Sequence, residues 1–286
     1  MYQTKNDLWD ERHNFEMSLS YIDPTIPRAA FKIESVYELP EHFIMWEYAI
    51  AMCGYLMKVC PFDQPDVASA KAAVLDILRD GQPEPDYVQD FVDDVHMGQV
   101  EVRQAPCFKD CTDVRASLRA LLASIQPGDF FALNAFLPFT GEGRREALET
   151  IRHGVAEKRG VVSCLEVGPR YLHSTGQLHK GGPNCGVFLI LSADELKDIP
   201  LKEGAESLGS LAKAQASGDL VTLASRGRRC VHLHLPTTRV SPCARWRKWC
   251  AHLGRAAADV TSLGSTAETQ RASQSRRRAF LELSRR

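Results

Sequence analysis

Alternating apolar and amphipathic stretches occupy the middle of the chain and predict an α/β fold. Short apolar runs bounded by turn residues are typical of buried strands, and apolar residues spaced three and four apart are typical of helices. Strands are predicted at 30–39, 130–138, 161–168, 186–192 and 228–236, and helices at 41–59, 66–80, 114–125, 145–160 and 205–227, the last divided near Gly218. Strands that alternate with helices through short turns predict parallel βαβ units.

The helix predicted at 41–59 is apolar on most of its sides. Its sequence is EHFIMWEYAIAMCGYLMKV, and a helix of this kind is usually buried in a domain core. Pro61 is expected to end it, because proline lacks an N–H group and disfavours the helical conformation at Cys60. The loop PFDQP then leads into the next helix, with Gln64 near its N-cap and Pro65 in its first turn.

Composition divides the chain into four segments. The polar residues 1–28 end in proline turns and are expected to be poorly ordered. The stretch GQPEPD and the acidic sequence after it separate two predicted lobes, at 29–110 and 111–236. The remaining residues, 237–286, are basic and poor in apolar side chains, so we expect them to be disordered.

The composition indicates a globular protein that stays in the cytoplasm. Hydrophobic residues make up 44% of the chain and charged residues 25%. No window approaches the roughly 20 uninterrupted apolar residues of a membrane helix. The N-terminus lacks the basic and apolar regions of a secretion signal. The nine cysteines form no CxxC pair and are expected to be reduced thiols. Membrane association is therefore not expected.

Net charge is distributed unevenly, which bears on the choice of partner. Eleven basic and three acidic residues lie from Thr237 onward, so this tail carries +8. Because the whole chain carries −1, the residues before the tail carry about −9. An acidic body argues against nucleic acid as the main partner, and none is expected.

Gln64 and Lys71 are the first candidate site residues. They lie seven positions apart, so on a helix they share one face about 10 Å apart along the axis. A helix N-terminus with an amide and an ammonium beside it suits an oxyanion or a sugar hydroxyl. The alternative is an N-cap glutamine and an exposed lysine without a role in chemistry.

The second candidate site is the segment VGPRYLHSTGQLHKGGPNCGVFLIL, which places a glycine-rich, cationic loop between two apolar strands. Its polar side chains are Arg170, His173, Ser174, Thr175, Gln177, His179 and Lys180. Backbone N–H groups beside arginine and lysine suit phosphate or carboxylate. Alternatively, this is a surface loop whose side chains only satisfy backbone groups.

Histidines and cysteines raise two further possibilities. A metal site would use His173, His179, Cys164 and Cys185, but their spacing fits no standard zinc pattern, so no metal is predicted. His232 and His234 share one strand face and are expected to be partly exposed.

Several of these segments resemble one enzyme family. PFDQPDVASAK resembles the C-terminal active-site signature of glucose-6-phosphate isomerases, and WEYAIAMCGYLMKV resembles the helix that precedes it. FFALNAFLP, GPRYLHSTGQLHKGGPNCGVFL and SLAKAQASGDLVTLASRGRRCVHLHL resemble the C-terminal part of transaldolase/glucose-6-phosphate isomerase fusions. The resemblance covers roughly residues 29–235 and follows the family's order.

The resemblance implies a partial sugar-isomerase (SIS-like) lobe followed by a βαβ-type extension. It implies interconversion of glucose 6-phosphate and fructose 6-phosphate without a cofactor. Gln64 would hydrogen-bond the sugar and Lys71 would assist ring opening, whereas Glu47 matches only weakly. Cys60 departs from the family, which usually has an asparagine-like residue there.

Only 60 residues precede Pro61, so the family's first lobe with its base glutamate is not expected here, and neither is the transaldolase barrel. We therefore expect little activity from the chain alone, and a homodimer or a separate N-terminal lobe as its partner. The alternatives are a non-catalytic sugar-phosphate-binding module and a structural remnant.

Overall fold

The computed structural model describes residues 31, 33, 35–63, 65–68, 72, 74–75, 89–95, 98–137, 144–194, 198–201 and 207–235. Contacts divide the chain into two compact units, Met1–Pro65 and Asp66–Arg286. The predictions of disorder for 1–28 and for 237–286 lie outside the described residues, as do Gln64 and Lys71. None of the helices described is long and apolar enough to cross a membrane.

Helix α1 (Leu39–Met57) dominates the described part of the first unit. It follows a 3-10 turn, Val36–Glu38, where sequence analysis predicted a strand. The strand prediction is wrong because the Ser35 side chain caps the turn by accepting the Tyr37 N–H. Pro40 lies in the first helical turn, where its missing N–H costs nothing.

The prediction that α1 is buried is wrong for the part of the chain that the structure describes. Within α1 only Gly54 is buried, and it packs closely under Pro61. The exposed fractions of Tyr48 and Tyr55 are 73% and 80%. Apolar sequence thus predicted the helix itself, but burial depends on which other segments cover it.

The second unit is built on a six-stranded mixed sheet. Its strands are β1 (Gln89–Val95), β2 (Gly98–Gln104), β3 (Phe130–Phe136), β4 (Val162–Val167), β5 (Gly186–Ala193) and β6 (Arg229–Leu235), in the order β1-β2-β6-β5-β3-β4. The pairs β6–β5, β5–β3 and β3–β4 are parallel, whereas β2 pairs antiparallel with β1 and β6. The predicted α/β class with parallel βαβ units is therefore confirmed.

Helices α2 (Val114–Ala123), α3 (Arg144–Arg159), α4 (Gly176–Gly181) and α5 (Leu208–Ser225) connect these strands. The central strands are buried on both faces, and Phe131, Leu189 and Val231 are at most 2% exposed. Strands of this kind read as continuous apolar runs, which is why sequence analysis located them. Arg152 of α3 bonds Ser163 on one face of the sheet, and α4 and α5 cover the other.

The sheet extends across the predicted lobe boundary at residue 110. β2 precedes that boundary, yet it pairs with β6 near the end of the described chain. The predicted break of the last helix near Gly218 is wrong, because α5 is continuous. Gly218 is buried there, and the packing of Leu220 and Leu223 outweighs the roughly 1 kcal/mol that a mid-helix glycine costs.

Candidate functional site

The second candidate segment begins where the edge strand β4 ends. A 3-10 turn, Arg170–His173, and the short helix α4 follow β4 and return the chain to β5. Gly168 allows the turn to begin, because a Cβ there would lie 2.5 Å from a ring carbon of Phe136. In α/β proteins, ligands bind at the carboxyl ends of parallel strands, and this segment follows the carboxyl end of β4.

One face of the sheet beneath α4 and α5 carries several polar side chains. Asn134 of β3 pairs in register with Glu166 of β4 and with Ile190 of β5. Ile190 in turn pairs with His232 of β6. Paired residues point to the same face, so a polar row crosses the otherwise apolar sheet. Polar groups buried in a sheet require hydrogen-bond or ionic partners. Together with these partners, the polar groups form two separate clusters.

The seven predicted binding residues of this segment do not share one surface. Arg170, His173 and Ser174 are exposed on the 3-10 turn, and Thr175 and Gln177 are half-buried. His179 and Lys180 are buried, with 3% and 1% of their surface exposed. The segment therefore presents its first residues to solvent and uses its last ones to attach to the fold.

Lys180 forms a buried ion pair with Asp219 of α5. The second carboxylate oxygen of Asp219 accepts a 2.6 Å hydrogen bond from the Tyr171 hydroxyl. Burial, followed by the charge of Asp219, raises the pKa of Tyr171 well above its ordinary value, so this hydroxyl stays protonated and donates. The network ties the 3-10 turn, which begins at Arg170, to α4 and α5.

His179 is enclosed by the rings of Phe130, Tyr171 and Phe188, with ring centroids 5.0–6.0 Å away. Burial lowers the pKa of His179 to about 4, so the imidazole is neutral at pH 7. Its Nδ1 atom is buried and has no hydrogen-bond partner in the described part of the chain. A buried polar atom without a protein partner requires a water, an ion or another ligand to satisfy it.

Cys164, Glu166 and His179 bring potential metal ligands together. The thiol sulfur, a carboxylate oxygen and a ring nitrogen all lie within 4.8 Å of one another. Burial, and then the charge of Glu166, raises the pKa of Cys164 to about 12. From sequence, Cys164 and His179 were grouped with Cys185 and His173, and no metal was predicted because their spacing fits no standard zinc pattern; Glu166 was not in that group.

The two candidate segments meet through Gln177 and Asp66. The Gln177 side chain donates to Asp66 Oδ2 at 2.7 Å and accepts the Asp66 backbone N–H at 3.1 Å. Asp66 also pairs with Arg226. Gly181 lies so close to the Asp66 carboxylate that a Cβ would collide with it. Asp66 belongs to PFDQPDVASAK and follows Gln64 by two residues, so the structure joins segments that are 111 positions apart.

A second polar cluster lies at the carboxyl ends of β5 and β6. Ser192 Oγ is 2.7 Å from His232 Nε2 and 2.8 Å from His234 Nδ1. His234 Nε2 is 3.1 Å from Asp194 Oδ1. Both histidines are 1% exposed, so the prediction that they are partly exposed is wrong. Strand β2 pairs with β6 beside them and helix α5 packs on β6, which the local sequence could not show.

The residue types of this cluster are those of a serine hydrolase triad, but its geometry is not. Ser192 is 2% exposed and its hydroxyl already bonds two rings, so a substrate carbonyl has no approach. Burial lowers the pKa of both histidines below the ordinary value. The cluster therefore joins β5 and β6 as a buried hydrogen-bonded link.

Sequence reasoning missed Glu166, Asp219 and Ser192. The signal for the first two was present, because each is an acid inside an otherwise apolar run, in VSCLEV and in ASGDLVTLA. A buried acid is rarely tolerated without a partner. Ser192 gave no such signal, since a serine at a strand end is ordinary.

No protein-family model and no curated protein matches the chain. Among solved structures, it is similar to the hypothetical protein TT0462 from Thermus thermophilus, with a TM-score of 0.41 and 20% sequence identity. The match covers 58% of this chain and 45% of that chain, so it spans less than half of the other protein. A likeness of this degree supports no argument about function, and the fold described above rests on the strand pairing of this chain.

Proposed function

We propose that this chain is part of a glucose-6-phosphate isomerase, the C-terminal part of a transaldolase/glucose-6-phosphate isomerase fusion with an SIS-like lobe. One observation supports this most strongly. The two segments that resemble the family, at 61–71 and 167–191, contact each other through Gln177 and Asp66. Segments far apart in sequence that form one active site are expected to meet in this way.

The chemistry of the reaction fits the exposed part of the second segment. Aldose–ketose isomerisation moves a proton between two carbons through an enediol, and cationic groups hold the phosphate and the developing charge. Arg170, His173 and Ser174 are exposed and able to contact a sugar phosphate. Lys180 and His179 are buried, so the proposal gives them the role of holding this surface in place.

Arg170 is the described residue for which the proposal predicts the clearest effect on binding. Fructose 6-phosphate should raise the melting temperature of the full chain, because a ligand that binds only the folded state stabilises it. Arg170→Ala should weaken this binding about tenfold, which corresponds to about 1.4 kcal/mol and is typical of one exposed contact to a charged group. Thermal shift and calorimetry measure both quantities.

Arg115→Ala is the matched control, since Arg115 is an exposed arginine on α2. It should leave the affinity unchanged. Equal losses in the two variants would mean that the effect is general electrostatics. The absence of any shift with fructose 6-phosphate or 6-phosphogluconate would contradict the proposal.

Lys71→Ala distinguishes isomerase from the alternative functions. In an isomerase the variant should abolish turnover in a coupled assay, with a separate N-terminal lobe supplied. In a non-catalytic sugar-phosphate-binding module it should weaken binding modestly, and in a structural remnant it should change stability alone. Lys109→Ala is the control, because Lys109 is an exposed lysine outside both segments. Normal turnover by the Lys71 variant would remove this residue from the proposed chemistry.

A further inference from the structure

We propose that Cys164, Glu166 and His179 form a Zn²⁺ site at the β4 edge of the sheet. This site is separate from the proposed isomerase chemistry, which requires no metal. It uses side chains of two elements, β4 and α4, that a short connection brings together.

Strand geometry places the first two ligands side by side. Cys164 and Glu166 are two residues apart on β4, so their side chains point to the same face of the sheet. Helix α4 crosses that face and brings His179 above them. The three ligand atoms lie within 4.8 Å of one another. Among the described strands β4 lies at an edge of the sheet, and Cys164 and Glu166 are only half-buried, so this side of the sheet offers an ion a route of entry.

The distances are close to those of a tetrahedral Zn²⁺ site. Bond lengths of about 2.0–2.3 Å place the ligand atoms of such a site roughly 3.4–3.6 Å apart. Inward movement of about 1 Å is therefore needed to reach zinc bond lengths. Rotation of the half-buried Cys164 and Glu166 side chains supplies this movement, while three aromatic rings hold His179.

The buried Nδ1 atom of His179 provides an independent reason to expect a ligand. It has no hydrogen-bond partner within the described ranges, although only 3% of the residue surface is exposed. Leaving such an atom unsatisfied costs about 1–3 kcal/mol. An ion held between this ring, a thiolate and a carboxylate would give the ring a partner and would replace the weak bond of the Cys164 thiol to the Phe131 carbonyl.

The ligand set identifies the class of metal. Sulfur, nitrogen and oxygen ligands together suit Zn²⁺, whereas Mg²⁺ and Ca²⁺ select oxygen alone. Thiolate and carboxylate balance the charge of the ion, and binding releases the thiol proton to water. The nearby cations are already paired, Lys180 with Asp219 and Arg152 with Glu149. Three protein ligands leave one position for water.

Titration of the full, reduced chain with Co²⁺ and then Zn²⁺ tests the site. Co²⁺ should bind at one equivalent and produce the sulfur-to-cobalt charge-transfer absorption of a thiolate ligand, and Zn²⁺ should displace it. Cys164→Ser should remove this absorption, and Glu166→Gln should weaken Zn²⁺ binding at least tenfold. Both positions are half-buried, so both variants should fold, which circular dichroism checks.

Cys111→Ser and Cys185→Ser are the matched controls, because these thiols are also partly buried. Both should retain the absorption and the affinity of the unchanged chain. Persistence of the absorption in Cys164→Ser, its loss in either control, or unchanged affinity in Glu166→Gln would overturn the proposal. Failure of the unchanged chain to bind one equivalent of Co²⁺ would also overturn the proposal. These results are independent of fructose 6-phosphate binding, so the two proposals can fail separately.

Discussion

Replacing Asp219 with asparagine should lower the free energy of unfolding by about 3–5 kcal/mol, the usual cost of leaving one member of a buried ion pair alone. The Lys180 ammonium is 1% exposed and pairs with Asp219. Without that carboxylate the ammonium has no ion-pair partner among the residues that the structure describes, and its burial keeps it largely out of water. Asparagine has nearly the shape of aspartate and can still accept a hydrogen bond from the Tyr171 hydroxyl. The loss in the free energy of unfolding therefore measures the missing charge rather than a cavity.

Urea unfolding of the full chain measures this loss of stability. Two further variants test whether the loss comes from the buried charge. Glu101→Gln removes the partner of Lys213 in an exposed pair that also joins α5 to the sheet, and it should cost less than about 1 kcal/mol. The double variant Lys180→Met with Asp219→Asn should recover much of the loss, because no buried charge remains. A loss in Asp219→Asn as small as in Glu101→Gln would mean that the ion pair is solvated.

The free energy of unfolding should fall as the pH drops from 7.5 to 5, because the fold keeps His232 and His234 neutral. Burial lowers the pKa of both rings, helped at His232 by the neighbouring ring of His234 and at His234 by the charge of Lys213. Below about pH 6.5 the unfolded chain takes up protons that the folded chain does not. Each ring then contributes a slope of up to about 1.4 kcal/mol per pH unit, and this contribution ends below the folded pKa.

Unfolding curves at several pH values above 5, where most carboxylates remain ionised, give this slope. His232→Gln keeps a hydrogen-bonding group beside Ser192 and should reduce the slope by up to about 1.4 kcal/mol per pH unit. His173→Gln removes a histidine from an exposed position and should leave the slope as in the unchanged chain. An identical slope in His232→Gln would show that this ring is protonated in the fold.

Stability and the proposed binding surface depend on the same contacts. Tyr171 and Lys180 bracket the exposed residues 173 and 174, and both bond Asp219. Loss of Asp219 should therefore also weaken fructose 6-phosphate binding, because the 3-10 turn that carries Arg170 loses its attachment to α5. Arg170→Ala, in contrast, removes a contact without touching this network.

Much of the fold was predictable because neighbouring residues carry the information. Apolar runs located β3, β4, β5 and β6, and amphipathic spacing located α2 and α3 to within two residues. The alternation of strands and helices along the chain predicted parallel pairing, since a crossover helix places successive strands in the same direction. The strand prediction at 30–39 was wrong because it relied on a weak alternation of apolar and polar residues, whereas Ser35 caps a 3-10 turn there.

The sequence by itself determined the α/β class, the positions of the central strands and the two segments rich in candidate chemistry. Only the tertiary structure decided that α1 is exposed, that β2 joins the sheet through β6, and that Asp66 meets Gln177. It also decided that Lys180 and the histidines of β6 are buried rather than presented to solvent. The physical reason is that these contacts join residues far apart in sequence, 39 positions for Lys180 and Asp219 and 111 positions for Asp66 and Gln177, whereas periodicity reports only on neighbours along the chain.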